Sequence, residues 1–128
     1  MNNFPENLKY TREHEWLREE EDGEGVVGIT AYAQKELGDI VFIDIDTEGE
    51  TFAADEKFGS IEAVKTVSDL YMPVGGKILE VNKKLESAPD TVNKDPYGEG
   101  WIIRIQMTNP SELNGLMLTN DYEELVSE

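Results

Sequence analysis

At 128 residues the chain has enough apolar material for one small core, and 28 acidic against 11 basic side chains leave it with a formal charge of −17. Such a surface repels phosphate backbones and anionic headgroups, which argues against nucleic-acid and membrane-surface partners and favours basic patches on other proteins. With no cysteine there is no disulfide scaffold and no Cys-based metal site, so any thiol chemistry needs an added group. Met1 to Lys9 contains acidic residues and lacks both an apolar signal core and an Arg/Ser-rich transit pattern. No apolar run approaches the ~20 residues of a bilayer span, so the expectation is a cytoplasmic monomer, one domain over residues 1–128.

The apolar rhythm is short and mostly of period two, which predicts strands. Glu13 to Arg18 and Gly25 to Thr30 read as a hairpin around the turn Glu20-Glu21-Asp22-Gly23. Ala31 to Leu37 reads as a short helix stopped by Gly38, and Ile40 to Ile45 as a strand. Asp46 to Asp55 is polar and acidic, a loop with room for a minor strand. Strands follow at Lys57 to Val64, Thr66 to Met72 and Lys77 to Asn82, with Pro73 to Gly76 as a turn between the last two. A loop through Pro89, Asn93 and Pro96 leads to a buried strand at Trp101 to Met107. Asn109-Pro110-Ser111-Glu112 reads as a helix start and Thr119 to Val126 as a C-terminal helix. Many short strands separated by Gly and Pro turns predict a small all-β sandwich or barrel with peripheral helices.

Two motifs lack the context they need. Gly23-Glu24-Gly25-Val26-Val27-Gly28 matches the dinucleotide-binding string, but these glycines leave a hairpin turn and enter a strand instead of opening a helix. Asp44 to Gly49 resembles the start of a calcium loop, yet Asp55 stands where a bidentate Glu belongs and a strand precedes it. His14 is the only histidine, so neither a His/Cys metal cluster nor a supported catalytic triad can be assembled, and a structural role is expected for it. Paired carboxylates select nothing in a chain this acidic, and the residues alone point to no free-standing enzyme.

The stretch Gly59-Ser60-Ile61-Glu62-Ala63-Val64-Lys65-Thr66-Val67-Ser68-Asp69 through Pro73 resembles the lipoylation hairpin of glycine cleavage H proteins. The likeness extends to Lys9-Tyr10-Thr11-Arg12-Glu13-His14-Glu15-Trp16, to Gly28-Ile29-Thr30, to Gly38-Asp39-Ile40-Val41-Phe42, to Val92-Asn93 and to Pro96 through Trp101. It implies a lipoyl-domain-like barrel-sandwich hybrid, with lipoate attached covalently to Lys65. Val64 and Val67 are β-branched and favour extended backbone, which leaves Lys65 near a tight turn between two strands. Glu62, three residues before the lysine, is implied to help the lipoate-attaching enzymes recognise the site. Biotin carriers share this kind of hairpin but typically place methionines beside the lysine, where this chain has Val64 and Thr66.

The resemblance further implies a non-catalytic shuttle. A pyridoxal-phosphate glycine decarboxylase would load an aminomethyl group, a folate-dependent aminomethyltransferase would remove it, and dihydrolipoyl dehydrogenase would reoxidise the dithiol. A labile cargo bearing an ammonium calls for a cleft near Lys65 that limits water and offers a carboxylate, and Glu15 and Asp69 are the candidates. Ala31-Tyr32 stands where many family members have Asp-His, and Ala63 where serine is common. Two rival roles remain: a lipoyl-relay donor using the same Lys65, and an unmodified acidic interaction domain.

Overall fold

The structure, a computed structural model, describes residues 4–127. Its strands form two antiparallel sheets. The larger has six strands in the order β1 (Lys9–Tyr10), β2 (Glu15–Glu19), β3 (Glu24–Ile29), β9 (Ile103–Met107), β8 (Gly76–Val81) and β5 (Thr51–Phe52). The smaller is β4 (Ile40–Asp44), β6 (Lys57–Ala63) and β7 (Val67–Tyr71). Four short helices lie around them: α1 (Ala31–Leu37), α2 (Lys84–Ser87), α3 (Thr91–Lys94) and α4 (Thr119–Val126). None of these helices is long and apolar enough to cross a membrane.

Side chains alternate across a strand, and here both faces of the large sheet are used. Leu17 and Val27 point into the main core, where they meet Ile61 and Leu70 of the small sheet and Ile78, Ile103 and Ile105 of β8 and β9. Their neighbours Trp16 and Val26 point the other way, into a second cluster with Phe4, Leu8, Tyr10 and Tyr122. The helix α4 closes that side, its Tyr122 ring stacked on Tyr10 at 4.7 Å. A strand buried on both faces needs consecutive apolar residues, which explains Val26-Val27. It also needs Gly28, because a Cβ there would come within 2.6 Å of the fully buried Trp16 ring.

Helix α1 begins on Thr30, whose hydroxyl accepts the Ala33 N–H at 3.1 Å, and ends on Gly38 at φ +81°. The sequence reading places most strands to within two residues. It misses β1, which is only two residues long and whose backbone also pairs with Met117. The stretch read as a loop through Pro89 and Asn93 contains the single-turn helices α2 and α3, too short to show a 3.6-residue period. The helix starting at Pro110 is a 3-10 helix, Pro110–Gly115, with the Asn109 side chain accepting the Ser111 N–H. The glycine string at Gly23 runs from a 3-10 turn directly into β3.

Candidate functional site

Strands β6 and β7 pair from Lys57 opposite Tyr71 to Glu62 opposite Val67, and the ladder closes with Ala63 N–H donating to the Thr66 carbonyl at 2.8 Å. Val64 and Lys65 are the two residues of the turn. Neither has a positive φ, so the β-branched Val64 sits there without strain. The tip is braced from outside, because Val64 N–H donates to the Asp39 carbonyl at 2.9 Å.

That brace is held in turn by one residue of α3. The Asn93 carboxamide oxygen accepts the Ile40 N–H at 2.9 Å, while its NH2 donates to the Gly38 carbonyl at 2.8 Å and to Gln34 Oε1 at 3.0 Å. The Lys65 side chain runs across Gly38, where a Cβ would stand 3.4 Å from Lys65 Cε. Glycine at this point ends α1 and also leaves the lysine room. The Lys65 ammonium is exposed and enters no ion pair among the described residues.

Beside α1 a cleft of about 130 Å³ opens, lined by Ala33, Glu36 and Leu37 on one side and by Ile61, Ser68 and Leu70 on the other. Glu13, His14 and Glu15 border it, as does Asp69. Glu15 is only 2% exposed. Its Oε2 accepts the Tyr71 N–H at 2.8 Å and its Oε1 the Thr11 hydroxyl at 3.5 Å. Among the described residues no cation pairs with it, and burial pushes its carboxyl up to about 8, against the pull of the Tyr71 N–H. Asp69 is half-exposed at the border of the cleft, its carboxylate 3.1 Å from Lys57 Nζ and 3.4 Å from the Tyr71 hydroxyl. The structure thus brings Glu15 and Asp69 to one cleft and sets Lys65 and Glu62 at the hairpin end, with α1 joining the two places.

The whole arrangement, from the braced Lys65 turn to the cleft carboxyl, lies within the span matched by a family model. Residues 8–128 match the model described as Glycine cleavage H-protein. The chain belongs to the glycine cleavage H-protein family. A glycine cleavage system H protein of Bacteroides fragilis is 56% identical over 125 residues, covering 98% of each chain. One from Symbiobacterium thermophilum is 50% identical over 128 residues, covering 100% of this chain and 99% of its own. Among solved structures, a glycine cleavage system H protein from Mycobacterium marinum superposes with a TM-score of 0.89 at 38% identity, covering 98% of this chain and 100% of that one.

For an H protein, the residues that sequence reading passed over are the supporting ones. Nothing in the string Val92-Asn93 announces that Asn93 fastens the backbone beside the lysine. His14 has the structural role expected of it, in a specific form. It is the left-handed residue (φ +72°) that closes the β1–β2 turn, with its N–H on the Thr11 carbonyl and Thr11 N–H on the Glu15 carbonyl. Its Nδ1 lies 2.8 Å from the Tyr122 hydroxyl, which meets Thr30 Oγ1 at 2.7 Å, so α4 is tied to the cleft wall. Burial lowers the His14 pKa from its ordinary range. Tyr32 lies against the His14 ring at 4.8 Å.

Proposed function

We propose that this chain carries a lipoyl group on Lys65 and moves the one-carbon amine fragment of glycine between the enzymes of the glycine cleavage system. Family membership makes it a lipoyl carrier of that system. The observation that carries the residue-level reading is the juxtaposition of a braced, exposed lysine with a cleft holding a buried, unbalanced carboxyl. The residues fit the group: the amine is accessible, the lysine side chain lies against Gly38 at the end of α1, and the cleft beside α1 combines apolar walls with acceptors. When attached, the lipoyl group supplies a reducible disulfide that accepts and releases the fragment.

The chain's own residues do three things. Val64, Asp39 and Asn93 fix the origin of the arm, so its reach is set by the arm and not by a mobile loop. Leu37, Ile61 and Leu70 line the cleft with apolar surface, which limits water around a bound cation. Glu15 receives the ammonium of the cargo: a carboxyl that is neutral near pH 7 when alone gives up its proton when a cation arrives, because the pair restores the charged form. Asp69 contributes a second carboxylate at the cleft rim, shared with Lys57.

The carrier has no turnover of its own. Its partners are the pyridoxal-phosphate decarboxylase, the folate-dependent aminomethyltransferase, dihydrolipoyl dehydrogenase and the lipoate-attaching enzymes. Similarity over the full length to glycine cleavage H proteins favours this shuttle over a lipoyl-relay role. The test is intact mass and peptide mapping of protein made in a lipoate-replete host, followed by glycine–bicarbonate exchange with the decarboxylase. One lipoyl group on Lys65, lost together with exchange in Lys65→Arg, is the expected result. A bare Lys65 in the presence of a lipoate ligase refutes it.

A further inference from the structure

Of the chain's asparagines only Asn114 is followed by glycine. The pair ends the 3-10 helix Pro110–Gly115, and both residues are exposed. Among the described residues the Asn114 carboxamide has no hydrogen-bond partner, whereas those of Asn82, Asn93 and Asn109 are held. A carboxamide carbon is an electrophile, and the backbone nitrogen of the next residue lies within ring-closing reach of it. At Asn109 that nitrogen belongs to Pro110 and has no proton to lose. At Asn7 and Asn120 it is screened by the side chain of the following residue, Leu8 and Asp121.

Nothing in the fold requires glycine at position 115. Its φ is not positive, and a Cβ built there would meet no atom within 4 Å. The close approach that holds Gly28 and the left-handed backbone that holds Gly38 are both absent here. What the glycine supplies is an unshielded nitrogen beside an exposed carboxamide. The backbone can also reach the reacting shape. Hydrogen bonds of a 3-10 helix are poorly aligned, and the exposed end of such a run opens more easily than a packed element.

We propose that Asn114 is a site of spontaneous covalent change, converting through a cyclic imide with the Gly115 nitrogen to a mixture of aspartate and isoaspartate. The Gly115 N–H gives its proton to hydroxide, and the nitrogen attacks the side-chain carbonyl carbon of Asn114. The new C–N bond closes the ring. The old bond to the side-chain nitrogen breaks, and that nitrogen leaves as ammonia with the electron pair and a proton from water. Water then adds to one of the two imide carbonyls, and the C–N bond at that carbon breaks with its proton returning to the nitrogen. Opening on the side-chain carbon leaves aspartate. Opening on the backbone carbon leaves isoaspartate, whose chain runs through the former side chain. Net, one water is consumed and one ammonia released, with no oxidation or reduction.

The surrounding contacts decide where the change is transmitted. Leu116 N–H donates to the Leu113 carbonyl at 3.1 Å, and Met117 exchanges two backbone hydrogen bonds with Tyr10, each 2.9 Å. Leu113 is buried and holds the segment on one side, while the bridge to Tyr10 holds it on the other. Isoaspartate inserts one extra backbone atom between these two anchors. That length falls within the turn closed by the Leu113–Leu116 bond and beside the bridge that covers β1. Aspartate keeps the backbone length and adds only a negative charge. The isoaspartate form therefore loosens the Tyr10–Met117 bridge, and the aspartate form leaves it intact.

The experiment holds the full chain at mildly alkaline pH and follows its intact mass over days, with peptide mapping that separates aspartate from isoaspartate. The variants are Asn114→Gln, whose longer side chain disfavours the ring, and Gly115→Ala, whose methyl group enters open space. Wild type should gain the mass of one amide-to-acid conversion, mapped to Asn114, with both products present. Gly115→Ala should slow the gain severalfold, and Asn114→Gln should abolish it. The separated isoaspartate form should exchange the Tyr10 and Met117 amide hydrogens faster than the unmodified chain, while Asn114→Asp exchanges them as wild type does. A mass that stays constant, or a gain that maps first to another asparagine, overturns the site. Aspartate without isoaspartate, or an equal rate in Gly115→Ala, shows direct hydrolysis by water and overturns the imide. Unchanged exchange in the isoaspartate form overturns the loosening of β1.

Discussion

Replacing Glu15 with glutamine keeps the shape of a buried side chain and removes its titration. The amide oxygen can still accept the Tyr71 N–H that now meets Oε2 at 2.8 Å. In the wild type the folded carboxyl titrates at about 8 against an ordinary value of 4.5, with burial as the largest cause. A pKa raised on folding means that the group's contribution is complete below pH 4.5 and is lost as pH rises to about 8. The loss is about 1.4 kcal/mol per pH unit within that window and about 5 kcal/mol across it, an upper value for a group that can relax toward water. Chemical denaturation of both proteins at pH 4, 7 and 9 isolates the effect, because all other groups titrate alike in the two. The stability of Glu15→Gln relative to wild type should rise by about 3 kcal/mol between pH 4 and 7, and by about 5 kcal/mol by pH 9. A difference that stays flat with pH refutes the reasoning, since Glu15 would then ionise in the folded state as easily as in the unfolded one. The same variant, once lipoylated and loaded, should lose its cargo to water faster than wild type, because a neutral amide cannot balance an ammonium.

Three further outcomes follow from geometry. Asn93→Ala leaves the Ile40 N–H and the Gly38 carbonyl without their partner, so it should cost about 2–3 kcal/mol in denaturant titrations and speed hydrogen exchange at the Val64 amide. Gly28→Ala forces a Cβ to within 2.6 Å of the Trp16 ring and should destabilise by about 3 kcal/mol or abolish folding, read from thermal melts. Tyr122→Phe removes the hydroxyl shared by His14 and Thr30 and should cost about 1–2 kcal/mol, with the His14 imidazole NMR signals shifting as its Nδ1 loses its partner.

How much of this was legible in the sequence depends on what each feature rests on. Strand alternation is local, so β2, β3, β4, β6, β7 and β8 could be read directly, and Lys65 could be placed in a turn from the flanking valines. The identity of that turn came from a resemblance covering several separated strings, because one exposed lysine among eight carries no distinguishing property of its own. Glu15 shows the other limit. In the string it is one acid among many, and its burial arises only when Tyr71, 56 residues later, donates its N–H. Asn93 is similar: its three partners lie 53 to 59 residues earlier, and no local pattern foretells them. The bulge at Val41 is not legible in the string because it depends on the count against a partner strand, which a single sequence does not show.

The sheet edges carry a consequence for how the protein survives at high concentration. A row of unpaired backbone groups is a template on which a second copy can add strands, and this danger grows beside exposed valine and phenylalanine. Here the large sheet ends in strands of two residues each, and one of them, β1, already has its outer backbone groups taken by Met117. The small sheet's β4 edge is interrupted by its extra residue. At these three edges backbone polymerisation has no long, flat run to start from, and mutual repulsion between chains of charge −17 opposes the first encounter. The one continuous edge is β7, five residues long, and there the Tyr71 N–H is already taken by Glu15.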